Sequence, residues 1–161
     1  MSSTSAMSAT SGGLGTVGWR EWVGLPELTP VRVKAKVDTG ALTSALHAWD
    51  IELHERDGVP VATFEVHPRQ RSARDAVRVT APLVDTREVR SSDGRVEERP
   101  TVRTLVRIGD HAFHADLTLT SRDAMGFRML LGRRALQGRY LVDPGASYLA
   151  SGRSRPPTPT D

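Results

Sequence analysis

The chain has 161 residues, 38% of them hydrophobic and only 5% aromatic, and no cysteine. That length predicts one domain with a core built on Val, Leu, Ala and Ile, while the absent thiol excludes disulfides and thiolate chemistry and suits the cytoplasm. Net charge is +3, from 22 basic and 19 acidic residues, a surplus too small to argue for nucleic acid, and no run is long and apolar enough to span a bilayer.

Met1 to Thr16 is Ser, Thr, Ala and Gly with almost no large apolar residue. It is expected to be a disordered tail, without the basic and apolar blocks of a secretory leader. Ser151 to Asp161, with Pro156-Pro157-Thr158-Pro159, reads as a second flexible tail. The folded unit is therefore expected over 17–150.

The first strong strand pattern is Val31 to Val37, where apolar and charged residues alternate. It runs into Asp38-Thr39-Gly40-Ala41, a carboxylate delivered at a strand end into a turn of small residues. Taken alone, the triplet is also an ordinary turn. Ile51 to Glu55 and Val61 to Val66 flank Arg56-Asp57-Gly58 as a predicted hairpin. Ala76 to Val84 and Thr86 to Arg90 are predicted strands, followed by a turn over Ser91 to Gly94 and strands over Val96 to Arg99 and Thr101 to Ile108. After Gly109-Asp110, Phe113, Ala115, Leu117 and Leu119 share one face of a strand, with His114, Asp116 and Thr118 on the other. Met129-Leu130-Leu131 ends at Gly132, Arg133 to Gln137 suits one or two helical turns closed by Gly138, and Tyr140 to Val142 is a last strand. Many short strands and little helix predict an all-β barrel or sandwich.

The order of two segments carries the chemistry. An apolar-Asp-Thr-Gly-Ala stretch is followed, far downstream, by apolar-apolar-Gly-Arg and a short helix: Val37 to Ala41, then Leu130-Leu131-Gly132-Arg133. Aspartic proteases use the second segment to buttress the aspartate loop, and the hairpin 83–106 stands where they place a flap. Together with Gly18 to Leu28, Lys34 to Ala41, Thr43 to Ala48, Arg87, Val89 to Ser92, Gly94, Glu98-Arg99, Leu117 to Leu119, Arg122, Met125, Met129 and Leu141 to Pro144, these residues resemble the bacterial retropepsin-like proteins called "ATP-dependent zinc proteases". The resemblance covers nearly all of 18–149.

That resemblance implies a retropepsin-like acid-protease β-barrel with one short C-terminal helix and one aspartate per chain. The catalytic set it implies is Asp38, Thr39 and Gly40, with Ala41 at the substrate and Leu131, Gly132, Arg133 and His47 as structural support. Arg133 is expected to anchor the loop through an acidic neighbour, or else to be a solvated helix-start arginine. A single Asp38 cannot supply two carboxylates, so a two-fold homodimer is expected. Some members sit beside ATP-grasp ligases that add glutamate to peptide or protein ends, which suggests a functional link. No Gly-x-x-x-x-Gly-Lys-Ser/Thr loop is present to hold a nucleotide, and no cofactor is expected.

Arg87, Arg90, Arg95, Arg99 and Arg103 lie on or beside the flap, and Arg69, Arg71, Arg74 and Arg78 precede it. As a set they suit an acidic, glutamate-rich peptide or protein, with Arg87, Arg90 and Arg99 foremost. The competing account is a solvated hairpin whose Glu88, Glu97 and Glu98 offset the arginines. Zinc finds little support: the five histidines form no His-Glu-x-x-His, and His114 with Asp116 reads as a cross-strand polar pair. Two rivals remain open: a zinc-dependent hydrolase, and a non-catalytic peptide- or partner-binding barrel.

Overall fold

A computed structural model describes residues 14–69, 74–90, 94–121 and 126–152. The expected terminal tails, the turn at 91–93 and the segment 122–125 lie wholly or mostly outside these residues.

The barrel starts from two paired strands, one of which alternates strictly in burial. In β3 (Thr29–Val37), Val31, Val33, Ala35 and Val37 point into the core while Arg32, Lys34 and Lys36 are half-exposed. Antiparallel β2 (Arg20–Leu25) pairs with it from Arg20↔Lys36 to Val23↔Val33. The next neighbour of β3 comes from far downstream: β10 (Met129–Leu131) lies parallel to it, Met129↔Ala35 and Leu131↔Val37. On its other side β10 is antiparallel to β4 (Ser44–His47), which runs parallel to β9 (His111–Thr120). β8 (Val96–Ile108) forms a hairpin with β9 and meets β2 at Gly24↔Arg107. These six strands, in the order β2-β3-β10-β4-β9-β8, close on themselves as the expected barrel. Val23, Val33, Leu46, Val102, Leu117 and Leu131 fill it, all of them fully buried.

Outside the barrel, β7 (Val77–Arg90) pairs with the first half of β8 and carries β6 (Val59–Val66) and β5 (Trp49–Arg56) in antiparallel order. Sequence patterning divided this hairpin into four short strands. It is instead two long ones, with a register shift between Leu83 and Asp85 where the alternation slips. Pro100 stays within β8, opposite Thr86. β4 had no clear apolar alternation of its own, because both of its faces are covered: Ser44, Leu46 and His47 are buried and Ala45 is half-buried. The helix is shorter than predicted, α1 (Arg133–Leu136), with only Ala135 and Leu136 buried.

The boundaries of the folded unit also move outward. β1 (Gly15–Val17) runs parallel to β11 (Tyr140–Val142), so Gly15 and Thr16, expected in the tail, pair with Tyr140 and Leu141. At the other end Ser151, also assigned to a tail, is tied down by the fully buried Glu21. That carboxylate accepts from the backbone N–H of Gly18 (2.7 Å), Ala150 (3.3 Å) and Ser151 (2.9 Å) and from the Ser151 hydroxyl (2.6 Å). A buried carboxylate is tolerated where donors replace its water. Among the described residues no helix is long and apolar enough to cross a membrane.

Tyr140 sits beneath this seam, 6% exposed, its hydroxyl 3.5 Å from the Ile108 carbonyl. Burial pushes its phenol up to about 12; the Arg139 guanidinium lowers it and the Glu21 carboxylate raises it, both less strongly. The folded pKa lies above the ordinary value, so the unfolded chain releases its proton first. The stability tied to the neutral phenol is therefore intact below pH 10 and lost as pH climbs toward 12, by about 2 kcal/mol. Urea unfolding between pH 9 and 12 is expected to show this loss, and Tyr140→Phe to remove it; an unchanged slope in the variant would contradict the assignment.

Candidate active site

β3 and β4 are consecutive in the chain but not neighbours in the barrel, because β10 runs between them. The segment 38–43 must therefore cross over the end of β10. Asp38 opens the crossover. Its N–H donates to the Leu131 carbonyl at 2.9 Å, continuing the β3–β10 ladder by one residue. Its Oδ1 accepts the Gly40 N–H at 2.9 Å, and its carbonyl accepts the Ala41 N–H at 3.2 Å. The aspartate thus closes its own turn, as Asp does when its side chain reaches an N–H two residues on. Asp38 is half-buried, Thr39 and Gly40 are exposed, and the second carboxylate oxygen has no hydrogen-bond partner among the described residues.

The downstream segment holds nearly every residue of this loop. The Gly132 N–H donates to Ser44 Oγ at 3.0 Å, Arg133 N–H to the Ala41 carbonyl at 2.8 Å and Arg134 N–H to the Leu42 carbonyl at 3.1 Å. Gly132 lies so close to Thr43 that an added Cβ would meet its backbone O at 2.4 Å, C at 2.6 Å and N at 2.9 Å. The glycine is required by proximity, since its φ of -94° is open to any residue. Arg133 does anchor the loop, but through the carbonyls of Thr39 (3.1 Å) and Gly40 (3.4 Å) rather than through an acid. A single guanidinium nitrogen, Nη1, carries two N–H groups and so donates to both carbonyls. Leu131 and Arg133 therefore hold Asp38 to Ala41, and Gly132 holds Thr43 and Ser44 at the loop's far end.

His47 belongs to the flank of this arrangement. It is 6% exposed in β4, with Nε2 3.0 Å from the Ser121 carbonyl. Its ring stacks on Trp49 (centroids 3.9 Å apart), Trp49 stacks on His67 (3.7 Å), and the Arg128 guanidinium lies 4.9 Å from the Trp49 ring. Sequence reading missed Trp49, His67 and Arg128, since only strand pairing brings these separated positions together.

The flap arginines lie on the β7–β8 hairpin. Arg87 is directly opposite Arg99, and Arg90 opposite Val96. The side chains of Arg87 and Arg90 lie outside the described residues; Arg99 is half-buried. Arg103 reaches Asp116 at 3.4 Å across β8 and β9, the cross-strand pair into which Asp116 was expected to enter, although with Arg103 rather than His114. Among the described residues no three His, Asp or Glu side chains converge as a metal site would require. The residues here do not fit a zinc ion.

The sequence matches the RimB-like family, described as "Retropepsin-like aspartic endopeptidase RimB", over residues 16–153. Curated relatives named "Probable alpha-L-glutamate ligase" include one from Shewanella halifaxensis, 42% identical over 132 residues, which are 82% of this chain and 29% of that protein. Another, from Parasynechococcus marenigrum, is 46% identical over 132 residues, 82% of this chain and 28% of that protein. The chain thus spans less than a third of the length of these relatives. The crystal structure of Lpg0085 from Legionella pneumophila, a protein of unknown function, superposes with a TM-score of 0.72 at 26% identity, covering 86% of this chain and 99% of that one.

Proposed function

The chain belongs to the RimB-like family of retropepsin-like aspartic endopeptidases, and from that premise we propose that it is a homodimeric aspartic peptidase with Asp38 as its catalytic residue. The observation that carries the reading is the Asp38 loop itself. Asp38 is held by the Leu131 carbonyl, and the rest of its loop by Gly132 and Arg133, yet it presents an unpartnered carboxylate oxygen on an open face. One such carboxylate per chain is half of a dyad. A second copy, related by a two-fold axis beside Thr39 and Gly40, supplies the other half. Leu42, next to the loop and 45% exposed, offers apolar surface for that contact.

In such a dimer the two Asp38 carboxyl groups share one proton, because two like charges this close do not both ionise. The ionised member takes a proton from water as its oxygen adds to the peptide carbonyl. The protonated member donates to the carbonyl oxygen, giving a tetrahedral diol. Collapse returns a proton to the leaving nitrogen and breaks the C–N bond.

The substrate reading is acidic peptide. Arg87 and Arg99 are cross-strand partners in the β7–β8 pairing, which brings two arginine positions to one place on the flap, and arginine suits a carboxylate-rich ligand. The relatives named as glutamate ligases point the same way: a ligase that adds glutamate makes an acidic tail, and this peptidase, acting in the cytoplasm, removes or trims it. Double reversal, Arg87→Glu with Arg99→Glu, is expected to lower kcat/KM on a glutamate-tailed peptide by about 100-fold. A length-matched neutral peptide should change little. Equal losses on both would remove the acidic specificity while leaving the peptidase reading in place.

A further inference from the structure

Behind the Asp38 loop, between α1 and the β8–β9 hairpin, lies a cavity of about 150 Å³. That is room for about five water molecules, or for one compact anion. Three arginines line it, Arg103, Arg134 and Arg139, together with His114, Ser44 and a single acidic residue, Asp116. Three arginines against one aspartate leave the lining at +2 with His114 neutral.

The arginines are unequally engaged. Arg139 is fixed: its guanidinium lies 4.2 Å from the Phe113 ring and donates to the Ala135 carbonyl at 3.3 Å. Arg103 reaches Asp116 only at 3.4 Å, with the arginine side chain 57% exposed, a long and solvated pair that contributes little. The side chains of Arg134 and His114 make no hydrogen bond or ion pair with any described residue. The cavity is therefore lined by three arginines, one of them held rigidly, whose donor capacity the one acidic residue does not fill.

We propose that this cavity is a second, non-catalytic binding site for a compact dianion, a phosphate or a short dicarboxylate, held by Arg103, Arg134 and Arg139. Two charges on the ligand match the surplus of two on the lining. Thr43 and Ser44, which line the site, are also the residues against which Gly132 packs, so the bound anion braces the junction that carries the Asp38 loop. Its binding does not depend on turnover.

Calorimetric titration of the full chain with inorganic phosphate, and separately with glutarate, tests this at constant ionic strength. Saturable one-to-one binding of at least one is expected, and the tighter of the two identifies the source chemistry. Arg134→Gln, at an exposed position, and Arg139→Gln should each weaken binding by about tenfold, while Arg56→Gln on the distant β5–β6 hairpin should not. If Arg139→Gln fails to fold, Arg134→Gln decides alone. The proposal is overturned by absence of saturable binding, by equal affinity in Arg134→Gln, or by chloride reproducing the effect.

Discussion

Peptide hydrolysis is expected to fall by about three orders of magnitude or more in Asp38→Asn, with the fold unchanged. An amide neither accepts the water proton nor shares one with a partner carboxylate. It still accepts the Gly40 N–H through its Oδ1, the one side-chain contact by which Asp38 closes its turn, so the melting temperature should hold. A subunit-mixing experiment makes the prediction sharper than a simple loss. If the dyad straddles two chains, every mixed dimer is inactive, and adding an equal amount of Asp38→Asn protein to a fixed amount of wild type cuts activity to about half at exchange equilibrium. A tenfold excess cuts it to about a tenth. A site complete within one chain gives no such poisoning. Zinc-dependent hydrolysis would instead survive Asp38→Asn and be lost to a chelator.

Asp38 and its support were legible because each half is local. Alternation over Val31 to Val37 identifies the strand, the small residues after Asp38 identify the turn, and Leu130-Leu131-Gly132 announces a buried strand end. The connection between the halves is not local: β10 threads between β3 and β4, and only that pairing explains why Gly132 touches Thr43. The same limit hid β1 and β4. Both are short, and each is a strand only because a partner from elsewhere in the chain lies beside it. Arg133 shows how a correct position can come with a wrong partner. Its charge suggested a carboxylate, while geometry supplies two carbonyls of the loop it restrains. Glu21 had no reading of its own in the sequence beyond its place in the Gly18 to Leu28 block. Its burial follows from a C-terminal segment folding back more than a hundred residues later, a contact that no periodicity encodes.

Gly132→Ala tests that non-local contact directly, and its expected cost is about 3 kcal/mol or more, a drop in melting temperature of about 10 °C. The new methyl would stand 2.4 to 2.9 Å from three backbone atoms of Thr43. Backbone cannot swing aside as a side-chain tip does. Thr43 is fixed on one side by Ser44, whose hydroxyl accepts from Gly132 itself, and on the other by Leu42, whose carbonyl accepts from Arg134. Relief must therefore come from separating β10 from the loop, which strains the Gly132–Ser44 and Arg133–Ala41 hydrogen bonds together. Gly40→Ala supplies the contrast. An added Cβ there meets only Asp38 Oδ1, at 3.2 Å, so thermal unfolding should barely change while the carboxylate is pushed from its place and activity falls. If Gly132→Ala unfolds at the wild-type temperature, the close approach of β10 to the loop is wrong. If it unfolds early while Gly40→Ala stays stable but inactive, one glycine belongs to the scaffold of the site and the other to its chemistry.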